Sequence, residues 1–391
     1  MKTLSAGIRI TEGKQVGPDE STGREIQTES SMCVQKVALI GASGFIGIRA
    51  SEMLSADPRF TLRPIVRAPS SLAVLARQRL DWKVCDLLNE KALSQALTGI
   101  TICVHAAIGN AAQIVKMAKA TYHACAAAGV RRLVWLSSAS VHGQNPLAGT
   151  DELSELNDKH ALIYNNAKVR AEWALDQSSI DGRVEVVRLR PSIVYGPRSR
   201  WISDVAEAVR NGRAGWISGG RGVCNAIYVD NLVAAIQHAA LNSRSAGHSF
   251  LIRDEESLTW RDFLLPIAKH LGRDEHAFTE MEVPLIVPER ENIMTTLTMT
   301  PIYAHIAPYI PDRAKRLIKA VASAWPARDP ELESWQPRSD SKLELKPEMA
   351  LLQQATWRFP TDKARQILDY RPPIAFDEGM KRSLIWLDSC R

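Results

Sequence analysis

The chain has 391 residues, 45% of them hydrophobic and 24% charged, enough for a full core and two lobes. Its formal net charge of +6 is scattered among 43 acidic residues rather than gathered in basic blocks, which argues against a nucleic-acid partner. No apolar run approaches the roughly 18 residues that span a bilayer, and the six cysteines stand apart with no C-x-x-C pair, so the expectation is a reduced, cytoplasmic protein without a structural metal.

Residues 1–34 are polar, rich in Gly, Ser, Thr and Glu, and lack periodicity, which reads as a flexible tail; they hold no apolar core of the kind a signal peptide needs. Residues 36–40 predict a strand and 45–54 an amphipathic helix. The turn between them runs Gly41-Ala42-Ser43-Gly44-Phe45-Ile46-Gly47. In such a strand-turn-helix the first glycine permits the tight turn, the second lets backbone N–H groups approach phosphates, and the third lets helix and strand pack closely. The ligand this implies is a dinucleotide.

Further strands are predicted at 60–66, 82–85, 100–104, 133–137 and 184–189, alternating with helices at 72–78, 91–97, 111–128 and 161–177. Residues 226–229 and 250–252 read as short strands returning to the sheet. This alternation predicts an α/β fold, a Rossmann-type doubly wound parallel sheet with helices on both faces. A Gly-rich loop at Gly219-Gly220 and a Pro-rich stretch over 284–347 mark a smaller C-terminal substrate lobe. The expected organisation is a dinucleotide-binding domain over 35–200 and 223–253, and a substrate-binding lobe over 201–222 and 254–391. Residues 301–325 are amphipathic and partly basic, fitting a lid or packing helix, with a dimer face or a membrane-surface helix as alternatives.

Tyr164 and Lys168 stand four apart in a helical segment and share one face, 26 residues after a Ser137-Ser138 pair that closes a strand at the ligand edge. A phenol with a pKa of about 10 is a poor acid/base at neutral pH, but a nearby ammonium and a cationic nicotinamide stabilise the phenolate. A serine hydroxyl beside them can hydrogen-bond the substrate oxygen and stabilise charge that develops there. An acid about 20 residues past the glycines bonds the ribose 2′-OH of NAD, whereas arginine suits a 2′-phosphate. This chain has Arg67 there, with Arg63 near, so NADP is favoured over NAD; stacking on adenine or a place in solvent are the other readings of Arg67.

From these residues the chain resembles the extended short-chain dehydrogenase/reductase family, its NAD(P)-dependent epimerase/dehydratase group, over about residues 35–388. The likeness includes Asp86-Leu87, Val104-His105-Ala106-Ala107, Ser137-Ser138-Ala139-Ser140-Val141-His142-Gly143, Leu189-Arg190-Pro191 through Val194-Tyr195-Gly196-Pro197, Ile227-Tyr228-Val229-Asp230-Asn231, and an ending from Lys363-Ala364-Arg365 to Trp386. The resemblance implies Tyr164 as catalytic acid/base, Lys168 as its pKa partner and ribose anchor, and Ser138 as the hydroxyl that polarises the substrate, with Ser140 as a second candidate. It implies a cofactor groove formed by Gly41, Ser43, Gly44, Phe45, Ile46, Gly47, Asp86, Leu87, Ala106, Ala107, Tyr164, Lys168, Pro191, Ile193 and Val194, with Asp86 meeting the adenine. It also implies a small-molecule substrate and a possible homodimer.

Departures narrow the reaction. The family's 4,6-dehydratases carry Asp-Glu where this chain has Ala139-Ser140, which disfavours water elimination. Many nucleotide-sugar epimerases place an arginine where this chain has Cys224; Arg198, Arg200, Arg213 and Arg221 are the available substitutes for gripping a diphosphate. His105 and His142 read as packed, hydrogen-bonded histidines rather than catalysts. The stretch 272–347 loosely resembles that of the 3β-hydroxysteroid dehydrogenase-like branch. The expected function is hydride transfer between a secondary alcohol carbon and nicotinamide, on a nucleotide sugar or on a larger apolar alcohol, with a non-catalytic NADP sensor as the reading from another class.

Overall fold

The computed structural model describes residues 34–76, 78, 80–289 and 345–389. Strands β1 (Gln35–Ile40), β2 (Phe60–Val66), β3 (Lys83–Val84), β4 (Ile102–His105), β5 (Arg132–Leu136), β6 (Glu185–Pro191) and β11 (Ser249–Ile252) form one seven-stranded parallel sheet in the order β3-β2-β1-β4-β5-β6-β11. The inner strands are apolar throughout because both faces are covered. Along β1, Val37 and Leu39 enter one core with helices α1 (Phe45–Ala56) and α6 (Val229–Leu241), while Ala38 and Ile40 enter a second with α2 (Glu90–Ala96), α3 (Ala111–Ala128) and α4 (Ile163–Ser178). The strand order reverses between β1 and its neighbours β2 and β4, which opens a crevice at their carboxyl ends, where doubly wound sheets bind ligands.

At Pro191 the chain leaves the sheet. Strand β7 (Ile193–Tyr195) pairs instead with β10 (Ala226–Tyr228), so residues 226–228 do not return to the main sheet as the sequence suggested. Two further small pairs, β8 (Ala214–Trp216) with β13 (Phe278–Glu280) and β9 (Val223–Cys224) with β12 (Leu258–Thr259), accompany a third core built on α5 (Arg200–Arg210), α7 (Trp260–His270) and the C-terminal helix α10 (Phe376–Asp388). Trp260 and Phe263 of α7 are fully buried there, and Met349 and Leu352 of α8 (Pro347–Gln353) pack against it. Helix α9 (Asp362–Leu368) returns to the first core through Ala364 and Leu368.

The helix predicted at 72–78 is instead a 3-10 run, Pro69–Leu75. Pro69 sits at its first position and fixes its start. The expected tail through residue 33 and the amphipathic stretch 301–325 lie outside the described residues.

Candidate active site

The glycine turn is forced at two of its three glycines. Gly41 has φ +82°, and a Cβ on it would stand 2.6 Å from the Ala107 nitrogen; one on Gly47 would stand 2.0 Å from the Gly41 carbonyl oxygen. These contacts hold Ala106-Ala107 and α1 tight against the turn. Gly44 differs: its φ is −77°, and a Cβ would meet only the Gly41 oxygen, at 3.5 Å. Nothing among the described residues requires glycine there. Gly44 is also the N-cap of α1, no side chain caps that helix end, and no acid lies in its first turn. Unclaimed N–H groups and a positive helix end beside a residue without a Cβ fit a pyrophosphate. The donors present therefore suit the dinucleotide that the sequence implies.

Phe45 and Ile46 begin α1 and Pro191 ends β6, with Ile193 and Val194 following in β7. Arg67 is exposed just past the end of β2, and no acid stands beside it in the chain. Arg63 is committed elsewhere, to Asp81 and to the carbonyls of Ala96 and Thr98. One Asp86 oxygen accepts the Leu88 N–H at 3.0 Å, closing a local turn ahead of α2.

The second half of the site sits at the end of β5. Ser138 is the N-cap of the 3-10 turn Ala139–His142 and its hydroxyl accepts the Ser140 N–H at 3.2 Å. Tyr164 lies in the first turn of α4 with its phenol beside Ser138, near enough for the serine to lower its pKa. One helical turn on, Lys168 is buried; its Nζ donates to the Leu136 carbonyl at 2.9 Å and lies 5.7 Å from the centre of the Tyr164 ring. The structure thus brings Ser138, Tyr164 and Lys168 together. Ser140 lies alongside, its buried Oγ without a hydrogen-bond partner among the described residues.

Burial drives the two ionisable members in opposite directions. It pushes the Tyr164 phenol up to about 12, with Glu348 raising it further and Arg200 and Ser138 lowering it. It brings the Lys168 ammonium down to about 8, with Glu172 opposing. In the protein by itself the lysine loses its proton before the phenol does, so a phenolate at neutral pH requires further positive charge beside Tyr164.

Sequence reasoning missed two ion pairs here. Arg200, at the start of α5, bonds Glu348 of α8 at 2.7 Å and stacks 5.2 Å from the Trp201 ring centre, and both charges act on the Tyr164 phenol. Glu172 and Arg190 form a buried pair at 2.7 Å. The first joins residues 148 apart and left no pattern in the sequence; the second had a signal, since Glu172 follows Lys168 by one helical turn. His142 accepts from Arg190 at 3.2 Å, as expected of a packed histidine, and is held down to about 4 by burial and Arg190. His105 is fully buried and stacked 4.2 Å from Trp135, but neither ring nitrogen has a hydrogen-bond partner among the described residues, contrary to the expectation.

The model of the 3-beta hydroxysteroid dehydrogenase/isomerase family matches residues 38–283, from the first strand through the substrate-side strands just described. The chain belongs to that family. Its relatives include an uncharacterised protein of Sinorhizobium fredii, 27% identical over 90% of this chain and 94% of that one. Another, from Mycobacterium tuberculosis, is named 3 beta-hydroxysteroid dehydrogenase/Delta 5→4-isomerase and is 27% identical over 61% of this chain and 70% of its own length. Among solved structures, the UDP-glucuronic acid 4-epimerase of Bacillus cereus, in complex with UDP-glucuronic acid and NAD, superposes with a TM-score of 0.64 over 91% of this chain and all of that one; at 16% identity the likeness is one of fold.

As a 3-beta hydroxysteroid dehydrogenase/isomerase family member the protein is an enzyme of the extended short-chain dehydrogenase/reductase type. Cys224, the position where many epimerases carry arginine, is buried in the third core, and no arginine takes its place on β9. No helix among the described residues is long and apolar enough to cross a membrane.

Proposed function

We propose that this protein is an NADP-preferring dehydrogenase that oxidises a secondary hydroxyl on an apolar, sterol-like substrate, with Tyr164 as acid/base. The observation that carries the reading is the gathering of Ser138, Tyr164 and Lys168 at the carboxyl edge of the sheet, two strands along from a glycine cradle open to phosphate. The bound nicotinamide supplies the hydride acceptor. Ser138 hydrogen-bonds the substrate oxygen, Tyr164 takes the hydroxyl proton on its Oη, and Lys168 lends the phenolate its positive charge. Family membership and the apolar Cys224 support a sterol-like ring over a sugar diphosphate, and Arg67 supports the 2′-phosphate of NADP. The third core, with the residues around Arg200 and Glu348, is the lobe we assign to the substrate.

A nucleotide-sugar epimerase is the second reading, favoured by Arg200, a guanidinium close enough to Tyr164 to shift its phenol. The test incubates the protein with NADP⁺ or NAD⁺ and a 3β-hydroxy-5-ene steroid, and separately with UDP-glucose, following reduced nicotinamide and sugar products. Accumulation of NADPH with the steroid, reduced at least ~100-fold in Tyr164→Phe, is the expected result. Sugar epimerisation without net reduction of the cofactor selects the second reading, and full turnover in Tyr164→Phe overturns the catalytic assignment in both.

A further inference from the structure

Two residues outside the Ser-Tyr-Lys set tie its parts together. Glu172 stands on α4 one turn beyond Lys168 and two turns beyond Tyr164, is 2% exposed, and accepts from Arg190 of β6 on both oxygens, Nη2 to Oε2 at 2.7 Å and Nε to Oε1 at 3.0 Å. Its Oε1 also accepts the Ser137 hydroxyl at 2.5 Å. Arg190 is itself buried and sends Nη1 to His142 Nε2 at 3.2 Å and to the Glu152 carbonyl at 3.1 Å. Ser137 and His142 bracket the 3-10 turn whose N-cap is Ser138. One buried ion pair therefore grips both ends of the turn that carries Ser138, Glu172 from the helix that carries Tyr164 and Lys168 and Arg190 from β6.

A buried ion pair gives little net stability over apolar residues of the same shape, so its use is to be sought in what it orients. We propose that the Glu172–Arg190 pair is the positioning element of this active site: it fixes the Ser138 turn against α4 and supplies the negative charge that Lys168 feels. The inference rests on the dehydrogenase reading above. The titratable groups facing Lys168 are Tyr164 and Glu172 on its own helix and His105 from β4. His105 is kept neutral by burial, and of the three Glu172 is the group that favours the cation. Around the pair stand Arg188 of β6, Asp176 of α4 and His142. In the direction of carbonyl reduction Lys168 must be charged, so activity falls as pH rises through its ionisation. Without the Glu172 charge, that fall moves to lower pH.

Glu172→Gln alone leaves Arg190 buried without a counter-charge, so the informative variant is the double Glu172→Gln/Arg190→Gln. With NADPH and a 3-ketosteroid as probe, kcat is expected to drop about tenfold and the alkaline midpoint of its pH profile to move down by about one unit. NADPH affinity at pH 7, read from nicotinamide fluorescence, stays within about twofold because the glycine cradle is untouched. Wild-type kcat and midpoint in the double variant overturn the inference. Should that variant not fold, Ser137→Ala cuts one grip and leaves the ion pair; a several-fold loss of kcat with an unmoved midpoint supports the inference, and wild-type kcat overturns it. Tyr164→Phe, measured alongside, separates the two levels: an active Tyr164→Phe sinks the dehydrogenase reading, whereas an inactive one beside a fully active double variant sinks only the positioning role.

Discussion

At Gly44 the backbone is open to any residue while the space beside it is clear, so a methyl group there tests ligand approach without testing the fold. Gly44→Ala is expected to leave the unfolding midpoint unchanged or raise stability by up to about 0.5 kcal/mol, while dinucleotide affinity by fluorescence titration falls more than tenfold. Gly47→Ala is the control with the opposite outcome. Its Cβ would lie 2.0 Å from a backbone oxygen that no rotamer change can move, so it is expected to cost ~3 kcal/mol or more in denaturant unfolding. Equal effects of the two variants on stability would refute the assignment of Gly44 to the phosphate. Arg67 carries the cofactor choice at the same scale. It is exposed, with no described hydrogen bond that it must keep, and Arg67→Asp is expected to weaken NADPH binding at least about tenfold. NADH binding should hold or improve, and an unaltered ratio of the two affinities would show that Arg67 does not touch the 2′-phosphate.

Helices α1, α6 and α10 meet at one carboxylate. Asp230, 4% exposed at the start of α6, accepts a fork of bonds from Arg49 of α1 at 2.6 and 2.8 Å and a longer one from Arg382 of α10 at 3.4 Å. Asp57, at the far end of α1, takes Gln237 of α6 at 3.0 Å, so the cofactor helix is pinned to α6 at both ends. Because both arginines are more than a third exposed, water screens part of the gain, and Asp230→Asn is expected to cost about 1–2 kcal/mol in urea unfolding. A change below a few tenths would mean that solvent already satisfies these arginines. Elements of this kind divide by how local their cause is. Strand β2 and helix α3 fall on the residues predicted, because an apolar run of strand length bounded by polar turns, and a long run closed by Asn110 and Gly129, are written locally. The pairing of β10 with β7 is not, since it follows from the bend at Pro191 and from a partner more than thirty residues away. The same holds at the site: spacing exposed Ser138, Tyr164 and Lys168, whereas the Arg200–Glu348 and Glu172–Arg190 pairs exist only after folding brings distant charges together.

Across the whole molecule the acid response is governed by histidines that burial keeps neutral. His105 is brought down to about 3 by burial and then by Lys168, and His142 to about 4 by burial and then by Arg190. In the unfolded chain both take a proton near their ordinary value of about 6.5. Between that pH and their folded values the unfolded state binds more protons, so each contributes stability that is present above about 6.5 and lost as the pH falls, at about 1.4 kcal/mol per pH unit. Asp254 works the other way. Burial raises it to about 7 against the bonds from Asn231 and the Tyr228 N–H, so its contribution is present at low pH and lost as the pH rises to that value. Among these three groups, two histidines against one aspartate leave a net loss of about one proton's worth, near 1.4 kcal/mol for each unit of acidification below about 6.5, against which Glu152 and Asp176, also raised by burial, act in the same direction as Asp254. That is a large share of the ~5–15 kcal/mol that holds a typical domain. Thermal unfolding is therefore expected to weaken steadily from about pH 6.5 downward, well before the carboxylates held below their ordinary range by arginine, Glu172 and Asp57 among them, begin to protonate. His105→Phe keeps the stack on Trp135 and gives up no hydrogen bond, so whatever its effect at neutral pH, the decline of its midpoint with acidification should be visibly shallower than wild type. Parallel declines in the two proteins would show that His105 takes its proton in the folded state, and that water reaches a ring which the fold encloses completely.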